Sequence, residues 1–212
     1  MNEGLAIIDL DKTLIYGDSI VALSKVFMEY ELIESNFWVK SSTLDFDSYY
    51  HSITKKKQLS DIFYALPDKK QSEIIKELLK SSDVKGIKSV INRIDSETRN
   101  NFVRIVSTAS LDFVALSILE QLNFNYDFLH CSSFRNYQTE KVCSTLNNSG
   151  GSKLSLIKNY LKASSKPEEI VTFSDHFSDL PILLIANRGF VVKNRDTFDD
   201  WSEHFNFNTL SY

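Results

Sequence analysis

The chain has 212 residues, 42% hydrophobic and 25% charged, with 15 Phe and 9 Tyr, enough apolar surface to bury a full core and to exclude global disorder. Its 6 Gly and 3 Pro exclude a collagen-like or low-complexity architecture. Against 28 acidic residues stand 24 basic ones, a net charge of -4, which supplies none of the counterion release that drives nucleic-acid binding, so nucleic acid is not an expected partner.

The chain opens with a short apolar run, Leu5 to Ile8, stopped by Asp9. Partly β-branched and without alternation, it reads as a strand buried on both faces of a parallel sheet. It is too short for a signal peptide or a membrane span, and neither is expected. From residue 18 to residue 82 no convincing buried strand follows. Instead Ile20, Leu23, Phe27 and Tyr30, and later Ile74, Ile75, Leu78 and Leu79, recur at helical spacing. Within this stretch Lys55-Lys56-Lys57 reads as a solvated helix end, with steering of an anionic substrate as the other reading. Asp83 is expected to N-cap a helix carrying Val84, Ile87, Val90, Ile91 and Ile94.

Beyond residue 102 the pattern alternates. Val103 to Thr108, Ile170 to Phe173 and Gly189 to Val192 read as strands, with a weaker one at Tyr126 to His130. Helical periods lie between them, at Leu111 to Leu122, Leu154 to Leu161 and Leu180 to Ala186. This order predicts an α/β fold with a three-layer, Rossmann-like parallel sheet. Its core spans residues 1–15 and 84–212, and residues 16–83 form an inserted helical subdomain. Cys131 and Cys143, the two cysteines, carry no metal-ligand spacing and no disulfide framework, which fits a reducing cytoplasm.

Ligands of open parallel sheets sit at the carboxyl ends of the strands. The first strand ends in Asp9-Leu10-Asp11, the second in Ser107-Thr108-Ala109-Ser110, and a later one in Ser174-Asp175, with Asp179 four residues on. Gly150-Gly151-Ser152-Lys153 opens a helix and brings a cation and free backbone donors to the same edge. Carboxylates crowded there need compensation, and a hard divalent cation, Mg2+ above all, suits oxygen ligands. Alone, an Asp-x-Asp pair is ordinary; the ordered set of Asp9, Asp11, Thr108, Lys153, Asp175 and Asp179 is not.

On these residues the sequence resembles the haloacid dehalogenase-like superfamily of aspartate-nucleophile hydrolases. The segments LAIIDLDKTL, RIVSTAS, GGSKLSLI and VTFSDHFSDLPIL match its four motifs in order. The insertion stands where the phosphoserine-phosphatase-like branch carries a helical cap. The resemblance implies Asp9 as the nucleophile that forms an aspartyl-phosphate, and Asp11 as the acid and base that protonates the leaving alkoxide and then activates water. It implies Mg2+ held by the Asp9 carboxylate, the Asp11 carbonyl and Asp175, with Asp179 in support. Thr108 and Lys153 would bind the phosphoryl oxygens. Ser107 rivals Thr108, because adjacent strand residues point to opposite faces. The other lysine of the same helix, Lys158, reads as an exposed one.

The implied activity is a Mg2+-dependent phosphatase acting on a small phosphorylated metabolite. A phosphotransferase or mutase, or a non-catalytic protein of the same fold that binds a phospholigand or a partner, is the alternative. Specificity is expected from the cap. Asp18 stands nine residues after the nucleophile, where the phosphoserine phosphatases carry a glutamate. Tyr16, Tyr49, Tyr50 and His51 are candidates for the entrance, although aromatic residues at helical spacing more often form core. His176 reads as an exposed loop histidine.

Overall fold

A computed structural model describes residues 4–37, 46–98, 101–135, 139–164, 166–194 and 201–212, without the side chains of 46–51 and 202–203. Seven strands form one sheet: β1 (Gly4–Ile8), β2 (Phe102–Leu111), β3 (Phe128–Ser132), β4 (Val142–Thr145), β5 (Glu169–Ser174), β6 (Arg188–Lys193) and β7 (Asn208–Ser211). Their order is β4-β3-β2-β1-β5-β6-β7, and every pair is parallel. The unalternating sequence of β1 follows from its central place: Leu5 and Ile7 pack on one face with Ile105, Ile157 and Ile182, while Ala6 and Ile8 pack on the other with Val106 and Phe173. Ile8 is level with Val106 of β2 and Phe173 of β5, so the carboxyl ends of the three strands meet along one edge.

Helices α1 (Ser19–Glu29), α2 (Phe46–Ala65), α3 (Asp68–Leu78) and α4 (Lys88–Glu97) lie between β1 and β2, with α5 (Asp112–Gln121), α6 (Gly151–Ala163) and α7 (Leu180–Leu183) further on. Ile157 of α6 and Ile182 of α7 pack on the Leu5 face. On the opposite face Leu23 and Phe27 of α1, Leu59 and Phe63 of α2, and Ile74 and Leu78 of α3 join one cluster with Ile8, Val106 and Val114. The helices of the insertion thus share the core of the sheet. Phe63 stacks on Phe113 of α5 with ring centroids 3.9 Å apart, and emptying a site such as Leu59 or Phe63 by alanine costs about 2–5 kcal/mol.

The two chain passages between core and insertion run as a narrow ribbon. Tyr16 and Gly17 donate backbone N–H bonds to Lys85 and Asp83, Ile87 donates to Leu14, and Ile15 bridges Gly86. Gly17 is needed there, because a Cβ would lie 2.6 Å from that of Asp83. This ribbon corrects the helix start expected at Asp83. Residues Ser82–Val84 make one 3-10 turn capped by Ser81, the chain then stays extended, and α4 begins only at Lys88. Asp83 instead pairs with Lys25 at 2.8 Å.

Other differences have plain causes. Strands β4 and β7 sit at the sheet edges, and short edge strands lack the continuous apolar run of buried ones. Strand β2 runs on past Thr108 to Leu111 with an irregular register beyond Ser107. The last helical period shrinks to Leu180–Leu183, with Leu184 and Ile185 exposed. Among the described residues no helix is long and apolar enough to cross a membrane.

Candidate active site

Asp9 directly follows β1, and its N–H donates to the Phe173 carbonyl at 2.9 Å, extending the pairing with β5 by one residue. The chain then turns tightly. The Leu10 carbonyl accepts N–H bonds from Thr13, Leu14 and Ile15, and Lys12 adopts φ 53°, a left-handed conformation that costs a non-glycine residue energy and that functional loops often retain. The turn brings Asp11 to the start of α1, where the Ser19 N–H donates to Asp11 Oδ1 at 2.7 Å. Asp18 caps that helix: its Oδ1 accepts from Ile20 and Val21 at 2.9 and 3.0 Å.

From across the cleft comes Lys153, in the first turn of α6 behind Gly150, whose φ of 49° suits glycine. Its ammonium is buried and donates to Asp9 Oδ1 and Asp179 Oδ2, both at 2.7 Å. Ser174 donates to the same Asp179 oxygen at 2.8 Å. Asp179 therefore holds the lysine that holds Asp9, while Lys158 of the same helix is exposed.

Asp9, Asp11, Lys12, Asp18, Ala109, Ser149, Lys153, Asp175, His176 and Ser178 line one cavity of about 230 Å³. Of the two hydroxyl rivals on β2, Thr108 Oγ1 accepts from the Ser110 N–H at 3.0 Å and Ser107 Oγ accepts from Asn148 Nδ2 at 3.3 Å. Both are fully buried, and it is the neighbouring Ala109 that lines the cavity. His176 is exposed as expected, and its Nδ1 accepts from the Ser178 N–H at 3.1 Å while lying 2.9 Å from the Ser178 hydroxyl. Tyr16 is half exposed and meets Tyr212 edge-on, with ring centroids 5.5 Å apart. The side chains of Tyr49, Tyr50 and His51 lie outside the described residues.

Charge is crowded in this cleft. Burial lifts the Asp11 carboxyl to about 7, with the charges of Asp18 and Asp9 adding to the rise. Burial and the charge of Asp9 lift Asp175 to about 8, against the opposing pull of Lys12. Asp9 is raised too, by burial, with Lys153 opposing. Burial alone would lower the Lys153 ammonium, but Asp9 and Asp179 outweigh it and the net shift is upward. One lysine thus leaves the negative charge undercompensated, and the donors on offer are oxygens, which suits a hard divalent cation. Among the described residues no three His, Cys, Asp or Glu side chains close around one point, so such an ion would rely on two carboxylates and a backbone carbonyl.

One lysine escaped the sequence reading. Lys56, the middle of the run at 55–57, is no solvated helix end: it lies inside α2, is 7% exposed, and donates to the Ala109 carbonyl at 2.7 Å and to Asn147 Oδ1 at 3.1 Å. Its neighbour Lys57 does face solvent, paired with Asp61. The sequence signal was available in weak form, since Lys56 stands three residues before buried Leu59 and seven before buried Phe63.

Residues 6–184 match the family model of the haloacid dehalogenase-like hydrolases. Among solved structures, a protein with unknown function from Bordetella pertussis Tohama I is similar, with a TM-score of 0.74 at 13% identity, covering 99% of each chain. A phospho-aspartyl intermediate analogue of phosphoserine phosphatase has a TM-score of 0.54 at 17% identity over 91% of this chain and 87% of that one. A substrate-bound phosphoserine phosphatase complex has a TM-score of 0.51 at 16% identity over the same shares. At these identities the likeness is one of fold. Among curated proteins none matches.

Proposed function

The chain belongs to the haloacid dehalogenase-like hydrolase family, and from that premise we propose that it is a Mg2+-dependent phosphatase that cleaves a small organic phosphomonoester through an aspartyl-phosphate on Asp9. In this reading residues 1–15 and 84–212 form the catalytic core, and residues 16–83 a helical cap subdomain that selects the substrate. The observation that carries it is the pair at the end of β1: a buried Asp9 held by Lys153 at 2.7 Å, and two residues on an Asp11 whose carboxyl is lifted to about 7.

Lys153 engages Oδ1 of Asp9, so Oδ2 is the oxygen that attacks phosphorus while the bond to the leaving oxygen breaks. Asp11, protonated near neutral pH, gives its proton to that oxygen, and its carboxylate next takes a proton from the water that displaces phosphate from Asp9. The hydrogen bond from Ser19 holds Asp11 in place for both transfers. Lys153, fixed by Asp179, and the end of β2 at Thr108 meet the phosphoryl oxygens, where catalysis is mainly positioning and charge neutralisation. Asp9, Asp175 and the Asp11 carbonyl would hold Mg2+, whose charge offsets that of the phosphoryl group. Asp18, lining the cavity beside Asp11, is the cap-side candidate for substrate selection. The free Cys131 and Cys143 fit a reducing cytoplasm as its compartment.

A panel of phosphorylated metabolites with Mg2+, scored by released phosphate, tests this reading together with a fluoroberyllate adduct on Asp9 followed by 19F NMR. Phosphate release from at least one of them and a Mg2+-dependent adduct are expected. No release from any of them, with no adduct, would leave a non-catalytic ligand-binding protein as the better reading.

A further inference from the structure

Lys56 is an expensive residue in its present place. It is buried, and among the described residues no carboxylate lies within ion-pair distance of it; its acceptors are two neutral oxygens, the Ala109 carbonyl and Asn147 Oδ1. An ammonium so placed loses its hydration without a paired charge in return. Burial accordingly pulls it below the ordinary lysine value, with the fields of Asp11 and Asp18 pushing back.

Docking of α2 does not call for this contact. Phe63 already stacks on Phe113, the Tyr64 hydroxyl reaches Asp112 at 3.4 Å, and Leu59 is fully buried. What Lys56 reaches instead is a polar network around the cleft. The Ala109 carbonyl takes a second bond from the Ser132 hydroxyl at 2.9 Å, and that hydroxyl accepts the Asn148 N–H at 2.9 Å. The Asn148 amide donates to the Thr108 and His130 carbonyls at 3.1 and 2.8 Å. Asn147 Nδ2 donates to the hydroxyl of Ser149, which lines the cavity with Asp9 and Lys153. Two segments, 108–110 at the end of β2 and the loop 147–149, are thus tied to each other within the core; from the insertion the Ser19 hydroxyl of α1 lies 2.7 Å from that of Ser110, and Lys56 of α2 is the donor that reaches both segments.

We propose that Lys56 is a positioning residue: from α2 it fixes the end of β2 at Ala109 and the loop at Asn147 to Ser149, so that they take their working geometry only with α2 seated over the cleft. Seating of α2 and ordering of the two segments are then one event. The linkage stands on the geometry; its consequence for turnover rests on the phosphatase reading above.

Amide hydrogen exchange on the full chain, without ligand or metal, tests the linkage. The probes are Ser110, whose N–H donates to Thr108 Oγ1, Asn148, which donates to Ser132, and Ser149, which donates to the Asn147 carbonyl. Lys56→Met should speed their exchange tenfold or more, while Tyr64→Phe, which loosens α2 at its bond to Asp112 without removing a bond to 108–110 or 147–149, should change it less than threefold. Asn147→Ala cuts the same link from the core side; it should expose Asn148 and Ser149, and its effect should fall short of additive with Lys56→Met. It also serves if Lys56→Met does not fold. With Mg2+ present, fluoroberyllate should bind Lys56→Met at least tenfold more weakly, and Lys56→Arg should recover part of the loss. Unchanged exchange in Lys56→Met, or equal effects of Tyr64→Phe and Lys56→Met, would overturn the proposal. If the unmutated protein binds no fluoroberyllate, the phosphatase reading fails, while the exchange data still decide the linkage.

Discussion

Two buried lysines face the same cleft and are held in opposite ways. On its floor, Lys153 donates to Asp9 and Asp179, two carboxylates that outweigh its burial and raise its pKa. On its wall, Lys56 donates to a carbonyl and an amide oxygen, and burial lowers its pKa. The floor is an ion-paired site, where removing one partner strands the other; the wall is a hydrogen-bonded tie, where what is at stake is the shape of the backbone around the cleft. The same residue type can therefore carry charge chemistry or position backbone, and its acceptors decide which.

The largest expected effect falls on the floor. Asp9→Asn keeps the shape of the side chain but removes the attacking charge, so kcat should fall by roughly three powers of ten or more. Turnover within tenfold of the unmutated enzyme would remove Asp9 from the role of nucleophile and the floor from the chemistry.

Stability sharpens the contrast next. Lys153→Met strands Asp9 and Asp179 without their cation and should cost about 3–5 kcal/mol in urea unfolding. Lys56→Met removes a buried cation from neutral partners and should cost only about 1.5–2 kcal/mol, since Asn147 Oδ1 loses a donor while the Ala109 carbonyl keeps its bond from Ser132. Similar losses for the two variants would mean that the lysines are held alike.

The floor should also respond to pH. The folded protein holds Asp11 protonated up to about 7 and Asp175 up to about 8, whereas the unfolded chain releases both protons near 4. Between those values the folded state binds more protons, so stability falls as pH rises from about 4 to about 8. A thermal melt series without metal should show Tm dropping over that range by ~5 °C or more, and Mg2+ should flatten the slope. A metal-free protein whose Tm is constant across the window would contradict the crowding of these carboxylates.

The smallest effect concerns Asp18, between floor and wall. As the cap of α1 it should cost about 1 kcal/mol when changed to Ala and a few tenths or less when changed to Asn, which keeps the capping oxygen. If Asp18 also selects substrate through its charge, Asp18→Asn should alter the order of preferred phosphoesters while leaving stability intact. An unchanged order in Asp18→Asn would confine the residue to helix capping.

Legibility in the sequence followed the same division. The strand ends at Asp9 and Asp175 and the glycines before Lys153 could be read because each lies next to the local feature that positions it: an apolar run of a central strand, or a helix start. The helix expected from Asp83 began later because Gly86 is drawn into a bridge with Ile15, a partner 71 residues away by number that local pattern does not show. Lys56 was hidden for the same reason, since one lysine among three says nothing about the oxygens it will meet.

From the sequence alone came the parallel α/β core, the helical character of the insertion and the order of the acidic, hydroxyl and basic residues along the carboxyl edge. These depend on hydrophobic period and on chain order, which are local quantities. Only the tertiary structure decided that Asp179 grips Lys153, that Asp18 is spent on a helix cap, that Ala109 and not a hydroxyl neighbour lines the cavity, and that Lys56 reaches Ala109 and Asn147 from 53 and 91 residues away. Those contacts join segments remote in sequence, and their energies depend on desolvation and partner geometry, which exist only once the chain has packed.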